Sequence, residues 1–148
     1  MKEIINKNII SCDINSSVSD VSKLMKKYNI GFIPVKDNNK YIGIITDRDI
    51  ALIIPNLKSI NDSIKPYITN NIISISINEV IDDALELMSK EKIKRLLVKE
   101  KDSIIGVLSI SDILNYNCNN KVLDTYKSIF EIKDNNKERL SKIDDIRN

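Results

Sequence analysis

Apolar residues return every three or four positions between 18 and 28, at Val18, Val21, Leu24, Met25 and Tyr28. That spacing lays one apolar stripe along a helix. Ser17 stands just before the stripe and Asp20 three residues later, the pattern of a capping box. The runs 32–36 (FIPVK) and 41–45 (YIGII) are rich in strand formers and flank Asp37-Asn38-Asn39-Lys40, which predicts a hairpin. A short strand-like run, 9–12 (IISC), precedes the helix, and a short helix over 47–54 is expected to follow the hairpin.

The same pattern then returns. NIIS occupies 8–11 and again 71–74, an offset of 71 − 8 = 63. The register runs without a gap to Ala51 and Leu114, pairing Asp20 with Asp83, Leu24-Met25 with Leu87-Met88, Val35-Lys36 with Val98-Lys99 and Ile42-Gly43 with Ile105-Gly106. The second copy carries IISI (72–75), a stripe of Ile81, Ala84, Leu85, Leu87 and Met88, the strands RLLVK (95–99) and IIGVL (104–108), and a closing helix over 110–115.

The order is therefore β-α-β-β-α, twice, an α/β (α+β) fold. One such unit leaves an apolar sheet face and an apolar helix stripe uncovered. Two copies are expected to bury them against each other as a pseudo-two-fold pair with two equivalent clefts. The expected domains are 1–58, 59–116 and a helical tail, 117–148. The linker, 55–70, resembles the chain ahead of the first copy, so each copy is expected to begin with a short lead-in helix. In the tail, Val122, Leu123, Tyr126, Ile129 and Phe130 fall at helical spacing. This helix is expected to pack on its own domain, with a partner or dimer surface as the alternative. The charged stretch from Asp134 onward reads as a solvated helix or a loose end.

Composition narrows the function. The chain has 148 residues, 42% hydrophobic and 30% charged, long enough to bury a core. Its 23 basic and 21 acidic residues leave a net charge of only +2, which gives no argument for a nucleic-acid or membrane partner. There is no histidine, which removes the commonest general base and metal ligand. The three glycines, Gly31, Gly43 and Gly106, are too scattered for a phosphate-binding loop. No catalytic or metal constellation can be assembled, so the chain is read as a non-enzyme without a required cofactor. Cys12 and Cys118 have no CxxC spacing and suit a reducing compartment. The charges at Lys2, Glu3 and Lys7, and the lack of any apolar run of bilayer length, point to a cytoplasmic protein.

What the repeat conserves internally is a junction: Gly43-Ile-Ile-Thr46-Asp-Arg-Asp49 and Gly106-Val-Leu-Ser109-Ile-Ser-Asp112. A hydroxyl three residues before an acid at a strand-to-helix junction is close to a capping box. The same groups can bind a ligand. The hydroxyl can reach a phosphate or ribose oxygen, and the acid can accept from both hydroxyls of a ribose. Arg48 can pair with phosphate.

The duplicated unit, the FIPV strand and the GIITDRDI end resemble a tandem pair of cystathionine-β-synthase (CBS) domains, a Bateman module, over about the first 115 residues. The resemblance implies clefts that bind adenosine-containing ligands such as AMP, ADP, ATP or S-adenosylmethionine, and a homodimeric disc. It places Thr46 and Asp49 on phosphate and ribose in one cleft, with Ser109 and Asp112 in the other. It places the base between Ser11, Cys12 and Asp13 and Gly31, Phe32 and Pro34 in the first copy. In the second these positions are Ser74, Ile75 and Ser76 with Lys94, Arg95 and Leu97. The second copy has Leu97 for Pro34 and Ser111 for Arg48, which weakens its phosphate site, although Lys94 and Arg95 can supply charge. The expected function is a regulatory module that senses an adenosyl ligand and signals to an effector protein. The alternative is a dimerising or protein-interaction scaffold with degenerate clefts.

Overall fold

The computed structural model describes residues 1–134, with side chains through Phe130. The first repeat contains β1 (Cys12–Asp13), α1 (Val18–Tyr28), β2 (Phe32–Asp37), β3 (Lys40–Thr46) and α2 (Asp47–Ile53). The second contains β4 (Ser74–Ser76), α3 (Ile81–Glu91), β5 (Arg95–Glu100), β6 (Ser103–Ser109) and α4 (Ile110–Tyr116). A fifth helix, α5 (Asn120–Asp134), follows. From α1 to α2 every element begins and ends 63 residues before its counterpart, as in 81 − 18 and 91 − 28 for the long helices.

Each repeat builds a three-stranded sheet, β1-β2-β3 and β4-β5-β6, with one parallel and one antiparallel pair. The β2–β3 turn is tight because Asn38 and Asn39 both take positive φ, 46° and 65°, a conformation asparagine tolerates and a two-residue hairpin requires. A register shift recurs at Val35/Lys36 and at Val98/Lys99. The leading strands are shorter and later than the expected 9–12 and 72–75, since pairing with β2 and β5 starts only at Cys12 and Ser74.

The chain divides into two compact units, 8–73 and 1–7 together with the chain from 74 onward. The sequence division at 58/59 and 116/117 remains a reading of the repeat. The units cut it differently because the lead-in segments change places. Asn6 bridges Val107 of β6, with N···O distances of 2.9 Å in both directions, and Thr69 bridges Ile44 of β3 at 2.9 and 3.0 Å. Both bridges obey the repeat, since 69 − 6 and 107 − 44 are each 63. The expected lead-in helices are absent among the described residues. Two 3-10 turns, Ile54–Asn56 and Lys65–Tyr67, each with a proline inside it, stand in the second lead-in, and the first holds only a turn before its bridge. Both segments instead commit backbone groups to an antiparallel bridge, at Asn6 and at Thr69.

In the unit 8–73, Cys12, Val18, Val21, Ile33, Val35, Ile45, Ile53 and Ile64 form one buried cluster. Ser17 and Asp20 cap α1 as expected, with Asp20 N–H donating to Ser17 Oγ at 3.1 Å. Tyr28 belongs to the predicted stripe but is 42% exposed, at the end of α1 where Asn29 enters the left-handed region. In the other unit, Ala84, Leu85 and Met88 of α3 are fully buried.

The tail helix packs on its own unit. Val122, Thr125 and Ile129 of α5 are buried, Lys121 reaches Asp82 at 2.7 Å, and Ser128 hydrogen-bonds Ser89 Oγ at 2.8 Å. The expectation for the charged stretch beyond Asp134 lies outside the described residues. No helix among those residues is long and apolar enough to cross a membrane.

Candidate functional site

Both junctions fold alike. Thr46 is the N-cap of α2: its Oγ1 accepts from Asp49 N–H at 3.2 Å, and Asp49 Oδ2 accepts from Thr46 N–H at 2.8 Å and from the Thr46 hydroxyl at 2.7 Å. In the second repeat Ser109 and Asp112 repeat these bonds at 3.1, 2.8 and 2.6 Å. Each acid therefore spends one oxygen on its cap. Oδ1 of either acid takes no hydrogen bond among the described residues, and all four side chains are half-buried. Capping and ligand contact are compatible in this geometry.

The sheet brings further predicted residues to the same end. Phe32 lies opposite Thr46 in the β2–β3 register, and the Gly31 carbonyl accepts from Asp47 N–H at 3.2 Å. The Asp47 carboxylate lies over the bare backbone of Gly31: a Cβ there would stand 2.7 Å from its carboxyl carbon and would turn this exposed side chain aside. Asp47 is a residue of this junction that the sequence analysis did not single out. Its signal was the lone glycine sixteen residues ahead. The counterparts Lys94 and Ile110 keep the backbone bond, at 2.9 Å, but discard both the glycine and the acid.

Other predicted residues are divided between core and surface. Cys12 and Ile75 are buried, Cys12 in the cluster around Ile33, so at these positions the side chains serve the interior. Strand alternation then turns Ser11 and Asp13, and Ser74 and Ser76, to the opposite face. Asp13 Oδ1 is engaged locally by the Asn15 backbone at 2.8 Å and side chain at 3.0 Å. Pro34 and Leu97 are buried, Leu97 opposite Ser74 in the parallel pair. Arg48 and Arg95 are exposed, and among the described residues neither makes an ion pair. Lys94, expected to bring charge to the second site, points its ammonium over the Phe130 ring of α5, 4.2 Å from the centroid.

Burial, with the Asp13 charge adding to it, pushes the Cys12 thiol up from its ordinary 9.0 to about 11. At neutral pH it stays protonated and is no nucleophile. Cys118 is exposed. One thiol is expected to react quickly with an aromatic disulfide reagent in the folded protein and the second only after denaturation. Two fast thiols would contradict the burial of Cys12.

A cavity of about 630 Å³ lies apart from these residues, lined by Met1, Ile77, Val80, Ile113, Asn117 and Val122 among others. None of the predicted site residues borders it. It is the seam where α5 leaves α4, and Asn119 on its wall is committed to capping Val122 N–H at 3.1 Å.

The CBS domain family matches residues 1–56 and 64–118. The CBS domain-containing protein YhcV of Bacillus subtilis is 25% identical over 114 residues, which are 76% of this chain and 81% of YhcV. Inosine-5'-monophosphate dehydrogenase of Methanocaldococcus jannaschii is 31% identical over 114 residues, but these are only 22% of that enzyme. Among solved structures, the CBS domain pair of protein MJ0100, in complex with 5'-methylthioadenosine and S-adenosyl-L-methionine, is similar at a TM-score of 0.69 and 30% identity. The match covers 78% of this chain and 96% of that one.

Proposed function

The chain belongs to the CBS domain family, and from that premise we propose that it is a regulatory module whose first repeat holds one adenosyl ligand at Thr46 and Asp49. The observation that carries this reading is the half-spent capping box. Asp49 keeps one carboxylate oxygen for the two ribose hydroxyls while its other oxygen fixes the side chain in place. A positioned carboxylate loses little freedom on binding.

Charge favours the sulfonium class over polyphosphates. Asp47 and Asp49 flank a single Arg48, so the junction carries a net charge of −1, set by two acids against one base. A cationic or uncharged adenosyl group suits that field better than a triphosphate. The MJ0100 pair, with both S-adenosylmethionine and methylthioadenosine, supports the same class. Ligand binding would act by favouring one arrangement of the module over another, with a homodimer and an effector protein carrying the signal.

Isothermal calorimetry on the full chain against S-adenosylmethionine, methylthioadenosine, AMP and ATP tests this. The expected result is one equivalent, with S-adenosylmethionine bound more tightly than ATP. Absence of heat from all four ends the proposal. The second site is weakened because Lys94 is held by Phe130. Phe130→Ala gives up a cation–π contact worth about 0.5–1 kcal/mol. It should therefore raise second-site affinity for AMP by about two- to five-fold, and an unchanged titration would show that Lys94 plays no part.

A further inference from the structure

The two repeats share one fold but not one cover. In the second, α5 lies on α3, held by Lys121 to Asp82, by Ser128 to Ser89 and by Lys92 Nζ to the Ser128 carbonyl at 3.0 Å. The residues of the first repeat that correspond to Asp82 and Ser89 are Ser19 and Lys26 of α1, by 82 − 63 and 89 − 63. Among the described residues no helix covers them. Instead they border a groove of about 240 Å³, with Val18, Ser22, Lys23 and Ile60 as its other walls. Ile60 is 64% exposed, although its carbonyl is anchored on Ser19 N–H at 2.8 Å. The groove thus has the place of a helix seat and an apolar edge, with no helix among the described residues seated on it.

Its charge differs from that of the filled seat. Asp82 on α3 receives Lys121 of the seated helix, whereas the walls of the α1 groove carry Lys23 and Lys26. Lysine stems can cover an apolar helix while their ammonium groups seek carboxylates at its rim. A second copy's α1 would bring the same lysines face to face, and a second copy's α5, with Lys121, Lys127 and Lys133 against Asp124, Glu131 and Asp134, would bring no net negative charge. We infer that the α1 groove is the docking seat for an acidic amphipathic helix of another protein, bound as α5 is bound to α3 with the signs exchanged. This names the kind of effector the proposed function requires, yet it rests on α1 and not on the ligand site.

The probe is a fluorescein-labelled peptide of the α5 sequence, Asn120–Asp134, carrying Lys121→Glu and Lys127→Glu, with the unaltered peptide as comparison. Anisotropy on the full chain should show the glutamate peptide binding at least about tenfold more tightly, and Lys23→Glu/Lys26→Glu in the protein should reverse that order. Both lysines are exposed, so the double variant should fold and keep its calorimetric response to S-adenosylmethionine. Equal binding of the two peptides, no binding of either, or a preference untouched by Lys23→Glu/Lys26→Glu overturns the inference. So does a homodimer, seen by sedimentation, that this double variant dissociates, since the groove would then belong to a second copy. Peptide binding without any adenosyl ligand response would retain the seat and remove the ligand reading. The opposite outcome would do the reverse.

Discussion

Asp49→Ala is expected to weaken S-adenosylmethionine binding by about 10- to 100-fold, the loss of charge-assisted hydrogen bonds from the ribose hydroxyls to one carboxylate. The substitution also opens the capping box of α2, at a cost of about 1 kcal/mol in stability. Lower affinity alone could therefore reflect a loosened helix. The molecule supplies its own control in α1, where Asp20 Oδ2 accepts from Ser17 N–H at 3.1 Å and from the Ser17 hydroxyl at 2.7 Å, the same box in the same repeat. Asp20→Ala should lose a similar cap and leave the calorimetric titration unchanged. If Asp20→Ala and Asp49→Ala weaken binding alike, Asp49 acts only through folding, and the ligand role assigned to it fails.

The contrast between those two boxes shows what a sequence displays and what it conceals. Ser17/Asp20, Thr46/Asp49 and Ser109/Asp112 were all legible because a cap depends on three or four consecutive residues. The hairpins were legible for the same reason, and the 63-residue register made the two repeats confirm each other. Asn6–Val107 and Thr69–Ile44 were not legible. Each is a single bridge between distant positions, made by a segment with no apolar period, so the exchange of lead-ins left no local mark. Lys94 misled in a related way. Its position in the repeat placed it at a site, but its partner Phe130 belongs to a helix that the repeat does not contain. Asp47 was hidden behind an apparently unremarkable glycine, because a close approach at Gly31 shows only when both chains of atoms are placed.

Gly43 is where the repeated motif meets that exchange, and its substitution should be the most damaging single methyl group in the first repeat. The motif glycines Gly43 and Gly106 both avoid positive φ, so neither is present for backbone freedom. Each instead makes room for the lead-in that crosses it. A Cβ on Gly43 would stand 2.7 Å from the Thr69 carbonyl oxygen and 3.3 Å from its carbon, and backbone cannot rotate aside as a side chain can. Accommodating it means separating β3 from the lead-in and stretching both Ile44–Thr69 hydrogen bonds. Gly43→Ala is therefore expected to destabilise the protein by about 1–3 kcal/mol, even after the stiffer unfolded chain returns a few tenths. Urea denaturation should show the loss as a lower midpoint, and calorimetry as a fall of about 2–4 °C for each kcal/mol. Gly106→Ala should cost less, because its nearest atoms are the Asn6 oxygen at 3.0 Å and the Ile5 Cδ1 at 3.2 Å, the latter the movable end of a side chain. The order of the two variants is the test. A neutral Gly43→Ala, or a Gly106→Ala that costs more, would mean that the lead-ins do not press on the motif glycines, and that these glycines are in the repeat for another reason.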